Sequence, residues 1–148
     1  MPIVRAAEGA PLQVLGDRVT VKVASADSPF QLSVVSVEVP PGSFIPPAHH
    51  RTEEECYFGL EGVLRVTLGS EQFDLAPGDL LHVPPGTDHA YQNPGATPVR
   101  FLAFSVGGPV DRFFAAIASD VRAMPADLPK LRTLMERYGV VPAGDRAT

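Results

Sequence analysis

Punctuation is what most limits how this chain can fold. Between residues 12 and 106 the apolar runs are short, and most end at a glycine or a proline, of which the sequence holds 13 and 16. Candidate strands are Leu12–Leu15, Val19–Ala24, Gln31–Val39, Glu55–Leu60, Val63–Leu68, Glu71–Leu75, Asp79–Val83, His89–Gln92 and Val99–Val106. Their recurrence at roughly 8–12 residues, with turn residues between, predicts an all-β sandwich or barrel. In the third run Ser33, Val35, Val37 and Val39 alternate with Leu32, Val34, Ser36 and Glu38, so one face is more apolar than the other. Leu68-Gly69-Ser70-Glu71 reads as a hairpin turn. The prolines also keep strand edges from pairing with other chains.

After Gly107-Gly108 the period changes. Phe114, Ile117 and Val121 follow a helical rhythm, which Leu128, Leu131, Met135 and Tyr138 continue. Asp127 is placed to cap the second helix and Gly139 to end it. Two such helices bury little alone, so they are expected to pack on the barrel as part of one domain spanning 1–148. The barrel would occupy about 10–107 and the helices about 109–139, with a polar tail after them.

At 148 residues, with 45% hydrophobic and 20% charged residues, the chain can bury one core. A net charge of -5 supplies no basic face, so neither nucleic acid nor an anionic membrane is an expected partner. Cys56 is the single cysteine, which excludes an internal disulfide and a thiolate metal cluster and fits a reduced cytoplasm. The first eight residues lack the apolar core of a signal peptide, and no run of about 18 apolar residues spans a membrane. A soluble, cytoplasmic protein is expected.

All four histidines, His49, His50, His82 and His89, fall within residues 42–93. Imidazole and carboxylate are the side chains that bind divalent transition metals at neutral pH, which makes this stretch the candidate metal site. It resembles the cupin superfamily. Gly42, His50, Glu55 and Gly62 fit the first cupin motif, G-x5-H-x-H-x4-E-x6-G, except that its first histidine position is Ala48. Gly78, Pro84, Gly86, His89 and Asn93 match the second, G-x5-P-x-G-x2-H-x3-N, at every fixed position. The resemblance implies a double-stranded β-helix, or jelly roll, with two C-terminal helices and one metal ion inside the barrel. Carried over, the ligands are His50, Glu55 and His89; Ala48 offers no ligand atom.

In a regular strand residues 48 and 50 face one way and His49 the other. A bulge near Pro46-Pro47 would swing His49 inward as a further ligand. Without it, two histidines and a carboxylate remain, the ligand count of the facial triad that holds non-haem iron and leaves positions open. The same set accepts Fe, Mn, Ni, Co or Zn. Glu55 is either a ligand or a base released from the metal, and His82, if it faces inward, is a partner in proton transfer. Glu53 and Glu54 are read as a solvated loop. Tyr57, Phe44, Tyr91, Phe101 and Phe104 are candidates for the cavity wall, and Cys56 is read as a buried structural thiol.

The single barrel with a helical tail containing Phe113-Phe114 and Glu136-Arg137-Tyr138-Gly139 is similar to bacterial quercetin-dioxygenase-like monocupins. That similarity implies a metal-dependent dioxygenase acting on a hydrophobic aromatic or polyketide-like small molecule. A non-oxidative cyclase or isomerase on the same scaffold is the alternative within enzymes. Ala48 keeps open a metal-free barrel that only binds a small molecule. The resemblance also implies a homodimer formed through barrel edges, with Val19–Val23 as the suggested contact.

Overall fold

The computed structural model describes residues 3–144. The strands are β1 (Pro11–Val14), β2 (Asp17–Val23), β3 (Ser33–Val39), β4 (Phe44–His50), β5 (Glu54–Glu61), β6 (Leu64–Leu68), β7 (Glu71–Leu75), β8 (Leu80–Val83), β9 (His89–Gln92) and β10 (Val99–Val106). Helices α1 (Val110–Asp120) and α2 (Leu128–Arg137) follow, and β11 (Val140–Pro142) comes last. Two sheets face each other, one in the order β1-β2-β3-β10-β5-β8 and the other β11-β4-β9-β6-β7. Neighbouring strands in both are antiparallel, the arrangement of a jelly roll.

Alternation places the core. In β3, Ser33, Val35, Val37 and Val39 are buried, and the residues between them are only half-buried. The neighbouring β10 adds Val99 and Phe101 and β6 of the opposite sheet adds Leu64 and Val66, each nearly inaccessible. Burying a side chain of this kind contributes about 1.5–3 kcal/mol. The predicted turn at 68–71 is present: Leu68 pairs with Glu71, and Gly69 takes a φ of 60°. Gly59 is required by a close approach, since a Cβ there would lie 2.3 Å from the Ala76 carbonyl oxygen.

Two strands escape the sequence reading. Pro46 and Pro47 lie inside β4 and argue against a strand. They are tolerated because the pairing of β4 with β9 slips between Ile45 and Ala48, so the prolines occupy an irregularity and not the ladder. β11 replaces part of the expected polar tail. Val140 pairs with His50, Val141 with His49 and Pro142 with Ala48, so β11 covers the edge of the strand that carries the first motif. β2, which carries the suggested contact Val19–Val23, lies between β1 and β3, and β1 covers its first half.

The helices close one end of the barrel. Phe113 and Ile117 of α1 and Leu131 and Leu134 of α2 join the same buried cluster as Val14, Val37 and Phe101. Ile117 and Val121 are buried as expected, and Phe113 joins them while Phe114 is partly buried against the same cluster. Asp127 does precede α2, but its carboxylate reaches back to accept from the backbone N–H groups of Arg122 and Ala123 at 2.8 and 3.0 Å. Gly139, with a φ of 70°, ends α2. Among the described residues no helix is long and apolar enough to cross a membrane.

Candidate metal centre

Three strands deliver the cluster. His50 ends β4, Glu55 is the second residue of β5, and His89 begins β9. On β5 the buried residues are Glu55, Tyr57 and Gly59, and on β9 they are His89 and Tyr91, so Glu55 and His89 each share an inward face with a tyrosine two positions on. The two motifs are joined through the main chain: the Gly86 N–H donates to the His50 carbonyl at 2.8 Å. Asn93, the last motif residue, is structural. Its Nδ2 donates to the Val39 and Thr97 carbonyls, and its Oδ1 accepts from the Gly95 N–H.

Glu55 sits between two imidazoles. Its Oε1 is 3.4 Å from His50 Nε2 and its Oε2 is 3.3 Å from His89 Nε2. One ligand atom from each of the three residues lies within 4.8 Å of the others. Metal–ligand bonds of about 2.0–2.2 Å place ligand atoms this close to one another, so one divalent ion fits. The outward nitrogens differ. His89 Nδ1 donates to the Thr87 carbonyl at 3.0 Å, which leaves Nε2 free to coordinate. His50 Nδ1 is buried without a hydrogen-bond partner, and Glu53 Oε2 stands 3.7 Å from it.

Charge at the cluster is self-consistent. Burial would push the Glu55 carboxyl up, but the two histidines outweigh it and the net shift is downward. Burial would lower His89, and the hydrogen bond and charge of Glu55 outweigh that too, so its pKa is raised. Tyr57 donates to Glu55 Oε2 at 3.5 Å and, with burial as the larger cause, its pKa is pushed well up, so it stays a neutral donor.

The remaining predicted residues separate. Ala48 lines the same cavity as His50 and pairs with His89, so the irregularity in β4 leaves residues 48 and 50 facing inward. His49 does not join the cluster: its Nδ1 is 2.8 Å from Asp88 Oδ1 on the other face of the strand. His82 does not face the cavity either. Leu81 and Val83 take the inner positions of β8, and the half-exposed His82 ring meets Glu54 Oε2 at 2.6 Å. Glu54 is solvated as expected, but Glu53 is only 3% exposed. Its carboxyl packs on Gly108, where a Cβ would lie 2.2 Å from Glu53 Oε1. Cys56 is half-buried on the outer face of β5, opposite His82.

Above the cluster is a cavity of about 120 Å³ lined by His50, Glu55, His89, both tyrosines and mainly apolar side chains. Tyr57, Tyr91 and Phe101 line it as anticipated, whereas Phe44 and Phe104 are exposed. Leu15, Pro46, Ala48, Leu131 and Met135 line both this cavity and an outer groove between β4 and α2, so they stand between the site and solvent. Both motif stretches fall inside residues 35–105, the span matched by the family model of the cupin domain.

Residues 35–105 form a cupin domain. An uncharacterized protein of Methanocaldococcus jannaschii is 38% identical to the chain over 73 residues, which is 49% of this chain and 58% of that protein. The quercetin 2,3-dioxygenase of Bacillus subtilis is 39% identical over 62 residues, 42% of this chain and 18% of the enzyme. The chain thus spans 58% or less of the length of these two relatives. The crystal structure of a predicted oxalate decarboxylase from Thermotoga maritima superposes with a TM-score of 0.65 at 22% identity, covering 71% of this chain and 98% of that one. At that identity the likeness concerns the cupin fold and not the reaction.

Proposed function

We propose that this cupin is a metal-dependent dioxygenase acting on a small aromatic molecule that chelates through oxygen atoms. The observation that carries the reading is the His50–Glu55–His89 cluster at the wall of an apolar cavity. Three ligands leave coordination positions open, which a structural metal site does not need. The similarity to the Bacillus subtilis quercetin 2,3-dioxygenase over the motif region supports the oxidative reading. A bound divalent ion would supply Lewis acidity and, if redox-active, a place where substrate and O2 meet.

The protein's own residues do the rest. The Thr87 carbonyl accepts from His89 Nδ1 and holds that ring to the cluster, and Glu53 Oε2 stands 3.7 Å behind His50 Nδ1. Tyr57 is a neutral donor beside Glu55, and the apolar wall excludes water and strengthens every electrostatic contact inside. Size sharpens the substrate class. A cavity of about 120 Å³ suits one ring; an engineered cavity of about 150 Å³ holds benzene. A three-ring flavonol would enter only if α2 moves away from β4.

Elemental analysis of untagged protein, beside His50→Ala and His89→Ala variants, tests the site. One equivalent of metal, lost in both variants, is expected, followed by O2 uptake with catechol-type substrates. No metal after reconstitution with Fe(II), Mn(II), Ni(II), Co(II) and Zn(II) would refute the reading. Turnover that persists without O2 would turn it to the cyclase or isomerase class.

A further inference from the structure

The cavity has a second polar end. Asp17 is 2% exposed, and it forms part of the cavity wall. Its Oδ1 accepts from the Ser43 hydroxyl at 2.8 Å and its Oδ2 from the Tyr91 hydroxyl. Strand register locates it relative to the cluster. Tyr57 and Tyr91 stand one inward step beyond Glu55 and His89 on β5 and β9, with ring centroids 6.3 Å apart. The tyrosines form the layer next to the ligands, and the Tyr91 hydroxyl leads on to Asp17.

Nothing basic lines this end. The cavity wall contains no lysine or arginine, and its two histidines belong to the cluster. A buried carboxyl without a cation is unfavourable, and burial raises the Asp17 pKa despite both donors. A carboxylate offers about four acceptor positions, of which Ser43 and Tyr91 fill two. A group this costly, facing a ligand cavity, is a candidate for ligand recognition.

Resting on the metal-dependent reading above, we infer that Asp17, held by Ser43 and Tyr91, takes a hydroxyl or similar donor at the far end of a single-ring ligand whose other end chelates at His50, Glu55 and His89. The competing role for Asp17 is mechanical, fastening the β1–β2 turn to β4 and β9.

The test uses the Zn(II)-loaded full chain, with zinc content measured for every sample, and calorimetric titration with two probes. Salicylate chelates but lacks a distal donor; 2,4-dihydroxybenzoate adds one opposite its carboxylate. Wild-type protein is expected to prefer the second by about tenfold, the effect of one hydrogen bond to a charged group. Asp17→Asn, which keeps an acceptor oxygen but loses the charge, should cut the preference severalfold and leave salicylate binding unchanged. Tyr91→Phe, which keeps the ring and frees an Asp17 oxygen, should keep the preference, and it carries the test if Asp17→Asn does not fold. Equal weakening of both probes by Asp17→Asn, a zinc-loaded wild type that shows no preference or binds neither probe, or loss of preference in Tyr91→Phe overturns the inference. Protein that holds no zinc overturns the metal-dependent reading with it, so the two failures are distinct.

Discussion

Glu53→Ala is the most informative substitution outside the cluster. His50 Nδ1 is buried with no partner, and Glu53 Oε2 is 3.7 Å away. A shift of roughly 0.9 Å would bring the pair to ordinary hydrogen-bond length. The carboxyl is buried at 3% exposure and is hemmed in by Gly108, so it has no solvated alternative nearby. Partners that fix a ligating histidine from behind are worth about 10–100-fold in metal affinity, or about 1.4–2.7 kcal/mol. Competition between the protein and a chelating dye for Zn(II) would read this directly. Glu53→Ala should weaken binding within that range and Glu53→Gln by less, because the amide oxygen still accepts. Zinc affinity within twofold of wild type, or an affinity loss matched by a fall in the melting temperature of the metal-free protein, would refute the reasoning.

Ala48→His adds an imidazole on the face that already carries His50, and it should tighten Zn(II) binding at least tenfold in the same assay while slowing any turnover that needs an open position. His82→Ala removes one partner of an exposed pair with Glu54, so metal content should stay at wild type and thermal stability should change by no more than about 1 kcal/mol. Burial raises the Asp17 pKa, so the folded chain takes up this proton more readily than the unfolded one. The cost of ionised Asp17 is therefore present at neutral pH and is relieved as pH falls through the raised value, levelling off below the usual carboxylate range. Asp17→Asn should remove that segment of the pH–stability curve; an identical curve in denaturant unfolding would refute it.

Much of the site is legible in local pattern. Alternation along β3 and β5 sorts inward from outward residues, and the same rule applied to residues 48–50 turns His50 in and His49 out. Proline and glycine mark most strand ends because they cannot continue a ladder or favour left-handed turns. Periodicity could not decide what reaches a residue from elsewhere in the chain. Glu53 reads as solvated beside Glu54, yet Gly107-Gly108, more than fifty positions later, closes over it. His82 shares the histidine-rich stretch but occupies the outer face of β8, since Leu81 and Val83 take the inner positions.

β11 is three residues long and has no signal of its own; it is a strand because β4 offers it an unpaired edge. Asp17 and Tyr91 are 74 positions apart and meet only because opposite sheets close on one cavity. Periodicity, turn residues and ligand spacing are short-range properties, and they determine the strands and nominate His50, Glu55 and His89. Which acids become buried, which histidines are excluded and how large a molecule fits depend on contacts between distant segments, and those exist only once the barrel has closed.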